Sequence, residues 1–303
     1  VIVTVTGATG FIGRRLVRRL LAAGHNVRLL VRHARTGFGP AVECFIWNAY
    51  TLDPDPASLE GADCLVHLAG EPVSQRWTPS TRQRILDSRI EGTHRLVQAL
   101  AGLRRRPQCM VSASAVGYYG DRGDEILLET SEPGNGFLAD VCRAWEKAAQ
   151  EVEPLGLRLV RLRFGMVLGT EGGALAQMLT PFLWGIGGKI GSGSQWISWI
   201  HADDVVSLIL FALERPDLVG PVNACSPNPV TNAEFTRELA AALKRPAFLS
   251  VPEWLLRLLY GDMAAILLAS QRVLPDAALK AGFQFQYPEL SRALRNLLAA
   301  RTA

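Results

Sequence analysis

Lysine is scarce in this chain: only four (Lys147, Lys189, Lys244, Lys280) stand among its 32 basic side chains, the rest being arginine. The positions four residues before them hold Arg143, Gly185, Ala240 and Asp276, so nowhere does a tyrosine precede a lysine by one helical turn. Acid is missing from a long early stretch, with no Asp or Glu between Gly13 and Glu43. The five cysteines (Cys44, Cys64, Cys109, Cys142, Cys225) are odd in number and form no C-x-x-C pair. That scatter excludes a disulfide framework and a zinc site, and predicts buried free thiols in a reducing intracellular compartment, the cytoplasm or an organelle. No apolar run reaches the roughly 20 residues of a membrane span. The longest near the end, Leu255 to Leu268, is broken by Arg257, Gly261 and Asp262. The strand pattern begins at Val1, so the residues from Val1 onward are expected to include no signal or transit peptide, while the missing methionine leaves open whether a preceding segment was removed. A net charge of +4 is modest, and the densest basic run, Arg104 to Arg106, is too short to track a phosphate backbone. The expected partner is a small molecule, with neither nucleic acid nor membrane.

What the chain does have is alternation. Apolar and β-branched runs at Val1 to Thr6, Val27 to Val31, Val42 to Trp47, Cys64 to Leu68, Cys109 to Ser112 and Leu157 to Leu162 are mostly separated by helix-period segments. Examples are Phe11 to Ala23, Ser80 to Leu100 and Phe137 to Val152. Strands that are apolar on both faces and alternate with helices predict an α/β fold, a Rossmann-type doubly wound parallel sheet. After about Gly169 the texture shifts to glycine-rich, tryptophan-bearing and then mainly helical sequence punctuated by proline. The expected division is a dinucleotide-binding domain of 1–168 plus about 199–226, and a smaller, mainly helical substrate lobe of about 169–198 plus 227–303.

The first strand runs into Gly7-Ala-Thr9-Gly10-Phe11-Ile12-Gly13, which opens an amphipathic helix. Glycines at a strand-to-helix turn permit a tight turn, close approach of backbone amides to a pyrophosphate, and close helix packing, while the helix N-terminus favours negative charge. The plain alternative is a tight turn without a ligand. An NAD-selective protein places an acid about 20 residues beyond such a turn; here the second strand ends instead in Arg32 and His33. An arginine pairs with a ribose 2′-phosphate where a carboxylate would repel it, so the expected cofactor is NADP. The alternative is that Arg32 is merely solvated.

With these residues in place, the sequence resembles the extended short-chain dehydrogenase/reductase superfamily. Val66-His-Leu-Ala-Gly-Glu71, Ser112-Ala-Ser-Ala-Val-Gly-Tyr-Tyr-Gly120, Arg161-Leu-Arg-Phe-Gly-Met-Val-Leu-Gly169 and Trp199-Ile-His-Ala-Asp-Asp204 match its segments in order. Trp145-Glu146, Gly187-Gly-Lys-Ile-Gly-Ser-Gly193 and Gly282-Phe-Gln-Phe-Gln-Tyr-Pro288 narrow the likeness to the YfcH-type epimerase-family proteins, an atypical branch, over Val1 to about Leu298. The resemblance implies further cofactor contacts at Leu68, Ala69 and Glu71, at Arg84 and Arg89 on the following helix, and at Val167. It also implies a homodimer through helices Ser80 to Leu100 and Phe137 to Val152.

The superfamily's usual chemistry uses a tyrosine acid/base with a lysine four residues later. If Glu146 aligns with the glutamate that follows that pair, Leu138 and Cys142 occupy the two positions, and neither replaces them. Ser114 is the best retained polar partner for a substrate oxygen, against a local backbone bond, and Tyr118 or Tyr119 is an alternative proton donor, against aromatic packing. Lys189, Gln195, Trp196, Trp199 and His201 are candidates to line a pocket between the lobes. For the tryptophans plain packing is the alternative, and for His201 a hydrogen bond to a neighbouring carboxylate. The expected function is an NADP-dependent oxidoreductase or epimerase of atypical mechanism acting on a small oxygenated metabolite. The rival from another class is an NADP(H)-binding sensor that has lost catalysis; a pure interaction module has little support beside so complete a nucleotide turn.

Overall fold

The computed structural model describes residues 1–33, 37–39 and 42–299. Seven parallel strands form the central sheet: β1 (Ile2–Thr6), β2 (Asn26–Val31), β3 (Glu43–Ile46), β4 (Cys64–His67), β5 (Cys109–Ala115), β6 (Arg158–Phe164) and β7 (Gly220–Ala224). Their spatial order is β3-β2-β1-β4-β5-β6-β7. The chain starts at the centre, winds to one edge, and returns to wind to the other. The order therefore reverses between β1 and β4, and the crevice beyond the strand C-termini at that point is where open α/β sheets bind ligands.

The crossovers from β1 to β2, β4 to β5, β5 to β6 and β6 to β7 each carry a helix, because parallel neighbours cannot be joined by a hairpin. On one face, α1 (Phe11–Ala22) packs against Ala202–Glu214, and Leu16, Val17 and Leu20 meet Val3, Val5, Val205 and Ile209 in one apolar cluster. On the other, α2 (Pro79–Ala101) and α3 (Phe137–Gln150) pack together, and Leu96, Leu100 and Ala149 cover Leu65, Met110 and Leu159. The sheet is buried on both sides, as its continuous apolar strands require.

The C-terminal lobe has a core of its own around Leu175, Phe182, Trp199, Phe235, Leu239, Tyr287 and Leu294. Its helices include α4 (Gly173–Leu183), α5 (Ala202–Glu214, shared with the sheet), α6 (Asn232–Leu243), α7 (Glu253–Tyr260) and α8 (Ala264–Leu268). The reading of this part as mainly helical omitted four short two-stranded ladders. Met166–Leu168 pairs with Trp199–His201, Gly188–Ile190 with Leu249–Val251, Trp196–Ile197 with Val230–Thr231, and Ile126–Leu127 with Arg272–Val273. Runs of two or three residues leave too little period-2 pattern to be recognised. Among the described residues no helix is long and apolar enough to cross a membrane.

Candidate functional site

The glycine turn is built as the crevice requires. Gly7 has φ +68°, and a Cβ there would lie 2.7 Å from the Leu68 carbonyl and 2.8 Å from the Ala69 nitrogen. A Cβ on Gly13 would lie 2.2 Å from the Gly7 oxygen, so the third glycine lets α1 close onto the turn. Gly10 is the N-cap of α1, exposed, with no side-chain cap and no acid in the first turn. The amides of Phe11, Ile12 and Gly13 therefore point out of a helix end that carries partial positive charge and no competing anion. Thr9 is exposed, its carbonyl accepting from Arg14 Nε at 2.8 Å. The Phe11 ring lies against Gly169, Gly172 and Gly173, where a Cβ would approach it to 2.2, 3.1 and 3.4 Å. Phe11 thereby fixes the turn to the segment that follows Val167, which is half-buried.

A second device ties the floor of the crevice together. The Thr6 hydroxyl accepts from the Leu68 and Ala69 amides, both at 3.1 Å, so its proton is directed to His67 Nδ1 at 2.7 Å. His67 then carries its proton on Nε2 and donates to Thr93 Oγ1 at 3.1 Å, and Thr93 donates to the Arg89 carbonyl. The imidazole is completely buried, and burial, assisted by the Arg89 charge, lowers its pKa to about 3. It is a neutral strut joining β1, β4 and α2.

Beyond β4, Glu71 donates its amide to Ser88 Oγ at 3.0 Å, and its carboxylate accepts from Tyr50 at 3.2 Å and Gln75 at 3.1 Å. Arg84 Nε stands 3.7 Å from the same carboxylate, which ties it to the segment beyond β4. Partial burial raises the Glu71 pKa, but the bonds from Gln75 and Tyr50 and the charges of Arg84 and Arg32 outweigh it and hold the carboxyl below its ordinary value. Arg89 donates to the carbonyls of Glu71 at 3.0 Å and Ile85 at 3.2 Å and lies 4.9 Å over the Trp145 ring. A Cβ on the exposed Gly70 would meet its guanidinium carbon at 3.1 Å. Burial lowers the pKa of Arg89. Arg32, just past β2, is exposed and makes no hydrogen bond or ion pair with a described residue.

The catalytic expectations fare differently. Ser114 is 2% exposed, and its hydroxyl donates to Glu146 Oε1 at 2.7 Å. Glu146 is clasped by Arg163 through Nε at 2.8 Å and Nη2 at 2.9 Å, with Arg161 at 3.3 Å. Tyr119 is fully buried; it donates to Asn223 Oδ1 at 2.7 Å and accepts from Arg163 at 2.9 Å. Burial, against the pull of Arg163, pushes its phenol up to about 12. Both hydroxyls thus give their protons to one buried network that joins α3, β5, β6 and β7. Tyr118 is half-buried, stacked 3.5 Å from the Arg163 guanidinium carbon, and its hydroxyl bonds to no described residue.

Leu138, Phe137, Met263 and Ile266 pack against one apolar cluster of Trp77, Ile85 and Val141, and Arg82 bonds Asp262 of the Gly261–Leu268 segment at 2.5 Å. Burial pushes the Cys142 thiol up to about 11, partly offset by the charge of Arg89 nearby. The remaining candidates do not converge. Trp199 and His201 are completely buried. His201 Nδ1 accepts from the Asp203 amide at 3.0 Å as the cap of α5, and its ring stacks on Tyr287 at 4.0 Å. Trp196 donates to Asp124 at 2.7 Å, Gln195 bonds backbone carbonyls, and Lys189 lines a separate cleft on α6. Among the described residues no three His, Cys, Asp or Glu are grouped to hold a metal.

Comparison with known proteins agrees with this geometry. The NAD-dependent epimerase/dehydratase family matches residues 3–225, and a domain of unknown function, DUF1731, matches residues 251–297. The chain is 42% identical over 301 residues to the chloroplastic epimerase family protein SDR39U1 homolog of Arabidopsis thaliana, covering 98% of this chain and 86% of that protein. It is 37% identical to the epimerase family protein YfhF of Bacillus subtilis, covering 99% and 98%. Its fold is similar to the crystal structure of human epimerase family protein SDR39U1 (isoform 2) with NADPH, at TM-score 0.87, 35% identity and 99% coverage of both chains.

Proposed function

This chain belongs to the NAD-dependent epimerase/dehydratase family, and we propose that within it the protein is an NADP(H)-dependent oxidoreductase or epimerase of atypical mechanism, acting on a small oxygenated metabolite. The observation that carries this reading is the pairing of an acid-free, uncapped α1 N-terminus with an exposed Arg32 at the end of β2 that makes no hydrogen bond or ion pair with a described residue. The human relative that was crystallised with NADPH supports the choice of NADP.

The residues present fit the dinucleotide: Gly7 and Gly13, where a Cβ would meet the backbone of Leu68 and of Gly7, let the turn close tightly beneath the uncapped, acid-free start of α1. When bound, the nicotinamide supplies the hydride chemistry. The amides at the start of α1 hold the pyrophosphate, and Arg32 pairs with the 2′-phosphate. The Leu68–Glu71 segment borders the riboses, with Glu71 kept ionised by Tyr50, Gln75 and Arg84. Arg89 takes over the missing lysine's electrostatic part as a fixed cation held by two carbonyls and an indole face. Val167 and the apolar wall around Leu138 limit water at the reacting end. Of the three nominated hydroxyls, Tyr118 is the one whose proton is uncommitted, and it is the proposed acid.

The test follows NADPH consumption against a panel of carbonyl compounds, with Tyr118→Phe beside the unaltered protein. The reading requires turnover of at least one carbonyl and a fall in kcat of tenfold or more in the variant, with NADPH affinity unchanged. A second reading, an NADP(H)-binding sensor, is favoured by one specific observation: Leu138, Cys142, Ser114 and Tyr119 leave no committed acid/base pair at the superfamily's positions. Tight NADPH binding with no turnover would select it.

A further inference from the structure

Lys189 stands in the Gly-rich segment Gly187 to Gly193, which the nucleotide site does not use. The glycines there have a local reason. A Cβ on Gly188 would lie 2.1 Å from the Leu249 oxygen, and one on Gly193 (φ +79°) would lie 3.1 Å from Lys189 Cδ and 2.9 Å from the Ala233 Cβ. Their absence lets the Gly188–Ile190 strand close on Leu249–Val251 and lays the Lys189 stem along the start of α6. The result is a cleft of about 320 Å³ between α6 and residues 245–249. That volume lies at the low end of small-ligand sites, about 300–1,000 Å³.

Three cations edge the cleft: Lys189, Arg237 and Arg245. Lys189 makes one bond, to the Ser192 carbonyl at 3.2 Å, and neither it nor Arg245 has a carboxylate partner among the described residues. Arg237 is 3.4 Å from Glu238 and 3.9 Å from Glu234, so it is partly neutralised. One wall is apolar, formed by Phe248, which is 91% exposed, and Leu249, which is 51% exposed.

We propose that this cleft is a second binding site, distinct from the nucleotide crevice, for an amphiphilic organic anion: a phosphate or carboxylate head on Lys189 and Arg245, with a short alkyl or aryl body against Phe248 and Leu249. The site requires both halves of the ligand. A head alone meets solvated cations, and a tail alone meets a small apolar wall.

The experiment titrates octyl phosphate, inorganic phosphate and octanol, each separately, into the full chain by calorimetry below the micellar concentration. The expected result is saturable one-to-one binding of octyl phosphate, at least tenfold tighter than either fragment. Lys189→Ala and Arg245→Ala should each weaken it tenfold or more, while NADPH affinity stays within twofold in both. That last measurement shows that the variants are folded. Non-saturable binding of octyl phosphate, or saturable binding that ignores Lys189→Ala and Arg245→Ala, overturns the proposal.

Discussion

The Ser114 hydroxyl and the Glu146 carboxylate stand 2.7 Å apart inside the protein, 32 residues apart in sequence, and that bond decides what Ser114 does. A serine facing a substrate would offer its proton outward; this one gives it to a carboxylate already clasped by Arg163. Ser114→Ala should therefore lower stability by about 1–2 kcal/mol, the worth of a hydrogen bond to a charged group with other partners remaining. Chemical denaturation reads that loss. NADPH affinity and any turnover, measured on the same sample, should change less than twofold.

Gly13→Ala places a methyl group 2.2 Å from the Gly7 oxygen, a distance no packing accommodates without moving α1 or the turn. We expect NADPH affinity to fall by more than tenfold and stability by about 1–3 kcal/mol, the range for an overpacked interior. Gly24→Ala is the contrasting control, since a Cβ there meets nothing within 4 Å. Its positive φ of +79° costs stability while leaving NADPH affinity intact.

His67 sets a pH dependence. In the unfolded chain an imidazole titrates near 6.5, whereas burial holds the folded group down to about 3. Between those values the unfolded state binds the extra proton, so stability rises with pH through that window. The contribution is complete above about pH 6.5 and is lost as pH falls towards 3. At about 1.4 kcal/mol for each unit of difference, the span is on the order of 5 kcal/mol. Urea unfolding at a series of pH values should show a shallower acid slope for His67→Asn than for the unaltered protein. Equal slopes would mean that the imidazole titrates normally in the fold.

Arg89 is held by two carbonyls and by the Trp145 face, so its planar, delocalised shape matters as well as its charge. Arg89→Lys keeps the charge and loses the fork. NADPH affinity is expected to drop about tenfold in that variant and further in Arg89→Ala. The lysine variant should stay within ~1 kcal/mol of the unaltered protein in stability. An unchanged affinity in Arg89→Ala would remove Arg89 from the cofactor site.

The parts of the molecule that were legible in the sequence are those whose signal is local. Strand β1, the turn Gly7–Gly13 and α1 follow one another within 22 residues, and each announces itself by apolar runs, glycine spacing or helical period. Arg32 was legible for the same reason, as the first residue past β2. The end of β5 was not: Ala113, Ser114 and Ala115 carry little strand signal, yet they pair with Leu162, Arg163 and Phe164. The fates of Ser114 and Tyr119 were illegible because their partners Glu146, Arg163 and Asn223 come from α3, β6 and β7. The Thr6-His67-Thr93 strut joins positions 61 and 26 residues apart, and no spacing rule foretells it. The Arg-x-Arg at 161 and 163, in the middle of a largely buried strand, was the available sign that a buried acid awaited it.

The central claim is that this crevice takes NADP(H) and that Arg32 makes the choice. Calorimetric titration of NADPH and NADH into the unaltered protein and Arg32→Ala tests it most directly. NADPH should bind at least tenfold more tightly than NADH, and the variant should lose most of that margin through weaker NADPH binding alone, since NADH offers no 2′-phosphate to Arg32. Equal affinities in the unaltered protein, or a preference untouched by Arg32→Ala, would contradict the account.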